Sequence, residues 1–543
     1  MLENMLDYLR IALYTAVLVL GLFLYQAWEK EHHSVAPPPT ATLAASSIPI
    51  TPASTITASG KTLPIPESVN MKGDIVHVTT DVLAISIDTR GGDIIEAKLL
   101  QYPESLNSKT PYVLFNDNPQ IEYIAESGLL GKSGPDTTES QAFYSTEHTT
   151  YTLEPNQNEI TVPLLWGDRQ GVKVTKVFTF KRNSYEINVG YNIQNQSPQP
   201  WEGHFYTQLM RKKLPSENHG LTGLTTYFGA AISSPEKPFQ KITFSDMEKT
   251  TLNQTIQGGW AAMIHHYFVS AWIPPKNSTS NYYSKVTANG LYAIGMMSAP
   301  LQVMPGNVLA TEATLYVVPT LMDRLKAAAP GLQLTIDYGW FWFIAAPIFW
   351  MLQKIYEIVG NWGWAIVIVT ILIKLLFYIP SAKSYRSMSV LKKLQPKMEA
   401  LKERYKDDKQ KFTQATLELY RQEKVNPMSG CWPILIQIPV FIALYWVLVE
   451  SVELRQAPFI LWIHDLSQKD PYYVLPILMM ISMFLQQRLS PPPPDPMQAK
   501  IMMLMPLIFG FLFLNFPAGL MLYWVVNNTL SFLQQWYVMH TIK

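Results

Sequence analysis

Trp362 to Pro380 reads WGWAIVIVTILIKLLFYIP, an apolar run carrying a single charge, Lys374, with Thr370 one helical turn before it. As a helix rising about 1.5 Å per residue, such a run nearly matches a hydrocarbon core about 30 Å thick. A lysine inside it costs about 2.5 to 3.5 kcal/mol, and intramembrane ionisable groups usually face a cavity. This stretch predicts a membrane helix and, at Lys374, a place to look for function.

Four further apolar runs follow: Pro433 to Val449, Tyr472 to Leu489, Ile501 to Phe516 and Leu520 to Tyr537. Upstream, Trp340 to Val359 is aromatic-rich, interrupted by Pro347 and polar near its end, and reads as a helix lying at the interface. Near the start, Tyr8 to Trp28 is long enough to span. Its flank carries Glu3, Asp7 and Arg10, and no small-x-small site follows, so an uncleaved anchor is favoured over a signal peptide. The total is six spans.

Between anchor and helices the pattern changes. Ser34 to Gly60 is rich in Pro, Ala, Ser and Thr and reads as a tether. From about Glu67 the period becomes two, clearest where Tyr185, Ile187, Val189, Tyr191 and Ile193 alternate with polar residues. This predicts a large antiparallel sandwich with one wet face per sheet. The expected organisation is an anchor at 1–28, a tether at 29–66, an all-β domain at 67–335, an interfacial helix at 336–359 and a five-helix core at 360–543.

Charge orients the chain. The loop Ser381 to Trp432 holds twelve Lys and Arg against six Asp and Glu, so the positive-inside rule makes it cytoplasmic. Both termini then lie inside and the β-domain outside. Within the loop, Leu394, Met398, Leu401 and Tyr405, then Phe412, Ala415 and Leu419, recur at helical spacing, and Asp407-Asp408 between them suits a cap. A helical hairpin over 381–426 is expected. Lys392, Lys393, Lys397, Lys402, Arg404 and Lys406 are its candidate partner contacts.

Other classes are excluded or weakened. A net charge of +1 argues against a nucleic-acid binder, and one cysteine, Cys431, can make no internal disulfide. No G-x-S-x-G, H-E-x-x-H or phosphate-loop string is present, and His265-His266, in an aromatic run, reads as structural. Polar residues remain inside the apolar runs: Lys374, Gln437 and the adjacent Asn527 and Asn528, of which Lys374, Gln437 and Asn528 lie at similar depth in the inner half of the bilayer, about 9, 6 and 14 Å from the cytoplasmic ends of their runs. From these alone, a wet pocket open to the cytoplasm and a snorkelling lysine with amide glue between helices stand level.

Several strings resemble the YidC family of membrane protein insertases: NPMSGCWPILIQIPVFIAL from Asn426, SVELRQAPFILWIHDL from Ser451, DPYYVLPILM from Asp470, DPMQAKIM from Asp495 and FPAGLMLYWVVNN from Phe516. TDVLAISIDTRGGDI from Thr80 and GGWAAMIHHYFVSAWIP from Gly258 are similar to the long Gram-negative type. The resemblance spans nearly the whole chain. It implies a polytopic α-helical membrane protein of the bacterial inner membrane, with a five-helix core around a hydrophilic groove and an all-β periplasmic supersandwich. The implied role is to insert and help fold integral membrane proteins, alone or with the Sec translocon. No enzyme activity, cofactor or metal is implied.

By position, the resemblance puts Lys374 at the family's groove cation, where many members have Arg, and Thr370, Gln437 and Asn528 at groove-side positions. Tyr523 and Trp524 match an aromatic pair that is often two tyrosines. Implied partners are nascent membrane proteins, the Sec translocon, membrane lipids, and the ribosome or signal-recognition machinery at cytoplasmic loops. Many relatives carry a basic C-terminal tail that this sequence lacks, so the hairpin and Ser490 to Lys500 are the expected ribosome-facing parts. An ion-coupled transporter or channel is the alternative, but no acidic residue lies deep in the apolar runs and no repeat is visible.

Overall fold

The computed structural model describes residues 73–541 apart from 139, 169, 214–225, 406–407, 424, 426–431 and 491–495. The expected anchor and tether, Lys406, Asp407 and Cys431 lie outside the described residues. Two regions follow one another, an all-β region and then helices.

The strands are β1 (Ile75–Thr79), β2 (Leu83–Asp88), β3 (Asp93–Pro103), β4 (Pro111–Phe115), β5 (Tyr123–Leu130), β6 (Thr150–Thr152), β7 (Glu159–Gly167), β8 (Val172–Lys181), β9 (Glu186–Asn195) and β10 (Trp201–Lys212). There follow β11 (Phe228–Ser233), β12 (Gln240–Ile242), β13 (Asn253–Gln257), β14 (Trp260–His265), β15 (Phe268–Ile273), β16 (Thr279–Val286), β17 (Leu291–Ser298), β18 (Leu301–Val303) and β19 (Val308–Pro319). They form two sheets. One runs β13-β16-β17-β10-β5-β3-β2-β1-β6 with β18 and β4 as side pairs; the other runs β12-β11-β14-β15-β19-β9-β8-β7. Pairing is antiparallel except between β1 and β6.

The predicted alternation on β9 is present: Ile187, Val189, Tyr191 and Ile193 are buried between the sheets. Hydrogen bonds stitch the layers together. Trp272 Nε1 donates to the Gln208 carbonyl at 3.1 Å, and Lys176 Nζ donates to the carbonyls of Gly91 and Ser127 at 2.9 and 2.8 Å. The expected wet face fails on the first sheet. Its far side buries Glu126, Gln208, Tyr206 and Met210. The turn bearing Asp136 folds back onto that side, where Asp136 accepts from Leu129 N and lies over the bare Cα of Gly128, while Leu130, Tyr206 and Met297 form a small second apolar cluster. Period two reports alternation along a strand. It does not report what covers the outer face.

The helices are α1 (Phe244–Lys249), α2 (Met322–Ala328), α3 (Trp342–Val359), α4 (Trp362–Leu376), α5 (Tyr378–Lys393), α6 (Gln395–Arg404), α7 (Lys409–Gln422), α8 (Trp432–Glu450), α9 (Val474–Leu489), α10 (Pro496–Leu512) and α11 (Ala518–Thr541). Helix α3 ends at Gly360, which takes the left-handed conformation that terminates helices. Trp350 and Ile358 on it, and Trp340 just before it, are strongly exposed. Asn361 caps α4 by accepting from Trp364 N at 3.1 Å.

The five predicted apolar runs are largely helical: the first breaks at Phe377, and the fourth passes into a 3-10 turn at Phe513–Asn515. Among the described residues no single helix is long and apolar enough to cross a membrane; α4 and α5 pass by length and composition only together, bent by 67°. The break is at Phe377, three residues past Lys374.

Candidate functional site

Three helices bring polar side chains together. Lys374 on α4 donates to Ser531 Oγ on α11 at 2.7 Å. Ser531 in turn donates to the Asn527 carbonyl one turn earlier, also at 2.7 Å. The Asn527 side-chain oxygen accepts from Gln437 Nε2 on α8, and the same amide nitrogen lies 3.3 Å from Tyr523 OH. The result is a continuous polar path from Lys374 through Ser531, Asn527 and Gln437 to Tyr523. Tyr523, Asn527 and Ser531 follow one another at intervals of four, so they share one face of α11.

The path is buried at α11 and half-buried at its ends. Tyr523, Asn527 and Ser531 are nearly inaccessible, whereas Lys374 and Gln437 are partly open. No charged group among the described residues stands close enough to perturb Lys374. Among the described residues one of its three N–H donors is used, which leaves capacity for an incoming anion.

The other predicted site residues lie elsewhere. Thr370 is buried and bonds back to the Ile366 carbonyl at 2.6 Å. Asn528, one residue from Asn527, faces α9, where its amide donates to Ser482 Oγ at 3.2 Å. Trp524 belongs to an aromatic cluster, with its ring 4.5 Å from Phe441 and 4.9 Å from Phe513. The structure thus joins Lys374, Gln437 and Tyr523 and sets Thr370, Asn528 and Trp524 apart. Sequence reasoning missed Ser531 and named Asn527 without placing it in the groove, although their spacing of four from Tyr523 was available.

The basic hairpin is present. Asp408 caps α7 by accepting from Lys411 N at 3.0 Å. Lys397 on α6 pairs with Glu423 beyond α7 at 2.6 Å, which ties the two arms. Lys392, Lys393, Lys402 and Arg404 are exposed.

A large β-sandwich followed by apolar helices, three of which share a polar path with a half-buried cation, defines a class by its build: an all-β domain joined to a helical region. Comparison with known proteins narrows it. The family model for the YidC periplasmic domain matches residues 75–351, and that for the 60Kd inner membrane protein matches residues 354–543. The chain is 46% identical to the membrane protein insertase YidC of Pseudomonas fluorescens (strain SBW25), over 99% of each chain. It is 45% identical to that of Coxiella burnetii (strain RSA 493 / Nine Mile phase I), over 99% of this chain and 97% of the other. A solved structure, the active YidC insertase with its first transmembrane domain resolved, is similar at 19% identity and a TM-score of 0.40, covering 86% of this chain and 92% of that one. The chain belongs to the YidC family of membrane protein insertases.

Proposed function

We propose that this protein inserts integral membrane proteins into the inner membrane, and that the path from Lys374 to Tyr523 is where a client's polar segment is received. The physical problem is the desolvation of that segment. A charged or polar stretch crossing hydrocarbon loses hydrogen bonds to water, at several kcal/mol per unsatisfied group. Side chains that offer hydrogen bonds partway across shorten the dry stretch. The client's apolar helix then partitions into lipid, and its burial supplies the drive without a nucleotide.

The observation that carries this reading is Lys374, half-buried, hydrogen-bonded to a neutral partner and far from any resident charge among the described residues. An acidic side chain of a client completes it. Twelve basic against six acidic residues in 381–432 support a cytoplasmic hairpin, with the groove open on that side and the β-domain periplasmic. On this reading six spans cross the membrane, one of them bent at Phe377, both termini are cytoplasmic, and α3 lies on the outer surface. The exposed Lys392, Lys393, Lys402 and Arg404 suit contact with the ribosome or signal-recognition machinery, and the apolar outer faces suit lipid and the Sec translocon.

The test is insertion of a client with an acidic translocated tail, at equal insertase level. Lys374→Glu and Lys374→Ala should insert it several-fold less well, and Lys374→Arg should work. Photocrosslinking from Gln437 or Tyr523 should capture a stalled client. Wild-type insertion by Lys374→Glu, or no crosslink from either position, overturns the reading.

A further inference from the structure

The Lys374 ammonium reaches across to a neighbouring helix. It is held sideways on α11 by Ser531, and the chemistry of that hydroxyl is one-sided. A serine has one donor and two acceptor lone pairs. The Ser531 proton is committed to the Asn527 carbonyl at 2.7 Å, the back-bond that serines make inside helices. What remains is acceptor capacity only. Lys374 Nζ takes it at 2.7 Å, and the Tyr385 side chain of α5 approaches the same oxygen. Ser531 is 2% exposed, so water does not compete for these lone pairs.

The location adds a second argument. Helix α5 leaves α4 at 67° just past Lys374, and Tyr385 on α5 packs against Val538 on α11. The lysine therefore sits inside the elbow of the bent pair, and α11 closes the elbow. A flexible four-carbon stem without a fixed acceptor has many rotamers there, and each displaces the charge by ångströms.

We propose that Ser531 is a positioning residue: its hydroxyl, able only to accept, fixes the Lys374 ammonium at the head of the polar path, where an acidic client segment meets it. This rests on the client-attracting role of Lys374 proposed above. Tyr385 supports Ser531 from the far side of the elbow. The substrate feature selected is an acidic residue in the translocated segment, because a pinned cation discriminates by charge whereas the neutral path does not.

The experiment uses the full chain in proteoliposomes and two clients that differ only in an acidic or a neutral translocated segment. The readout is the acidic-to-neutral ratio of insertion. Ser531→Val, which removes the hydroxyl, should lower the ratio about fivefold, the worth of one lost hydrogen bond. Ser531→Thr, which keeps a hydroxyl able to back-bond, should restore it. In a Lys374→Ala background Ser531→Val should lower it no further. If Ser531→Val does not accumulate, Ser531→Ala, which adds no bulk, is read by the same criteria. A normal ratio in Ser531→Val alongside a reduced one in Lys374→Ala overturns the positioning role and leaves the role of Lys374 standing. A normal ratio in Lys374→Ala overturns both. A further drop on adding Ser531→Val to Lys374→Ala shows that Ser531 acts through something else, and also overturns the proposal.

Discussion

His266 donates from Nε2 to the Val449 carbonyl at 2.9 Å, so a side chain of the β-domain satisfies a backbone oxygen in the last turn of α8. Carbonyls in the last turn of a helix have no partner within it, and a buried one needs a donor from outside. His266 reaches it from the turn between β14 and β15, where its backbone is left-handed, with φ of 49°. Arg455, just past α8, answers from the other side. It donates to the carbonyls of Pro103 and Glu104 at 2.8 and 2.9 Å and lies within 6 Å of the rings of Tyr112 and Phe268. Helix α8, which carries Gln437 at its other end, is thus clasped by the β-domain.

That clasp makes a local prediction. His266→Ala should leave the Val449 carbonyl unpaired at a cost of about 1 kcal/mol. Arg455→Lys should cost more, because a point charge cannot bridge two carbonyls and stack on two rings at once. Hydrogen exchange across 451–457 in the full chain should quicken in both variants while the sheets stay protected. Unchanged exchange in that segment would show that the contacts do not hold the joint.

The buried acids of the β-domain predict a pH dependence with a definite sign. Burial pushes the Glu126 carboxyl up to about 7 from an ordinary 4.5, although the Gln208 amide and Lys285 pull it back. A carboxyl raised on folding binds more protons folded than unfolded. Its contribution is intact below pH 4.5 and is lost progressively as pH rises to about 7. Asp136, raised by burial to about 6, acts in the same direction, whereas His265, driven down by burial and by Arg211, acts oppositely as pH falls. Comparing Glu126→Gln with wild type isolates one group. The variant should gain a few degrees in Tm relative to wild type between pH 4.5 and 7, and the gap should level off above. A gap independent of pH would mean that Glu126 titrates normally.

The adjacent asparagines should separate by function. Asn527→Ala breaks the path to Gln437 and should reduce insertion of acidic clients with little change in Tm. Asn528→Ala removes the bond to Ser482 and should loosen α9 from α11, lowering Tm by a degree or two, since interhelical hydrogen bonds in membranes average about 0.6 kcal/mol. Insertion assays and thermal scans on the two variants check this. The reverse assignment would place the client path along α9.

That pair also shows how far the sequence could be read. Position along each helix was legible, because rise per residue is constant, and the polar path links Lys374, Gln437 and the middle of α11. Rotation was not. Neighbours on a helix point about 100° apart, and Asn528 was chosen where Asn527 faces Gln437. Trp524 went astray in the same way, since an aromatic beside Tyr523 lies on a different face and joins Phe441 and Phe513. The alternation on β9 located the sandwich core because burial there repeats every second residue. The covered outer face of β5 and β10 depends on how the turn after β5 folds back, which the period along a strand does not encode.

Glycines at two helix contacts should differ in tolerance. A Cβ on Gly363 would lie 2.0 Å from the Phe459 ring, and one on Gly510 would lie 2.0 Å from Met480 Sδ. The ring is held: Phe459 packs edge-on against Trp364 at 5.5 Å, its carbonyl accepts from Asn361, and its N–H bonds Ile463. Gly363→Ala must therefore shift the start of α4 itself, at the cost of about 1 to 3 kcal/mol typical of overpacking. Met480 is unbranched and can swing aside, so Gly510→Ala should cost less despite the equal distance. Because α4 carries Lys374 three turns further on, Gly363→Ala should also depress acidic-client insertion. Thermal scans and the insertion assay on the two variants decide it, and equal losses of stability would mean that the loop at Phe459 yields as readily as a methionine.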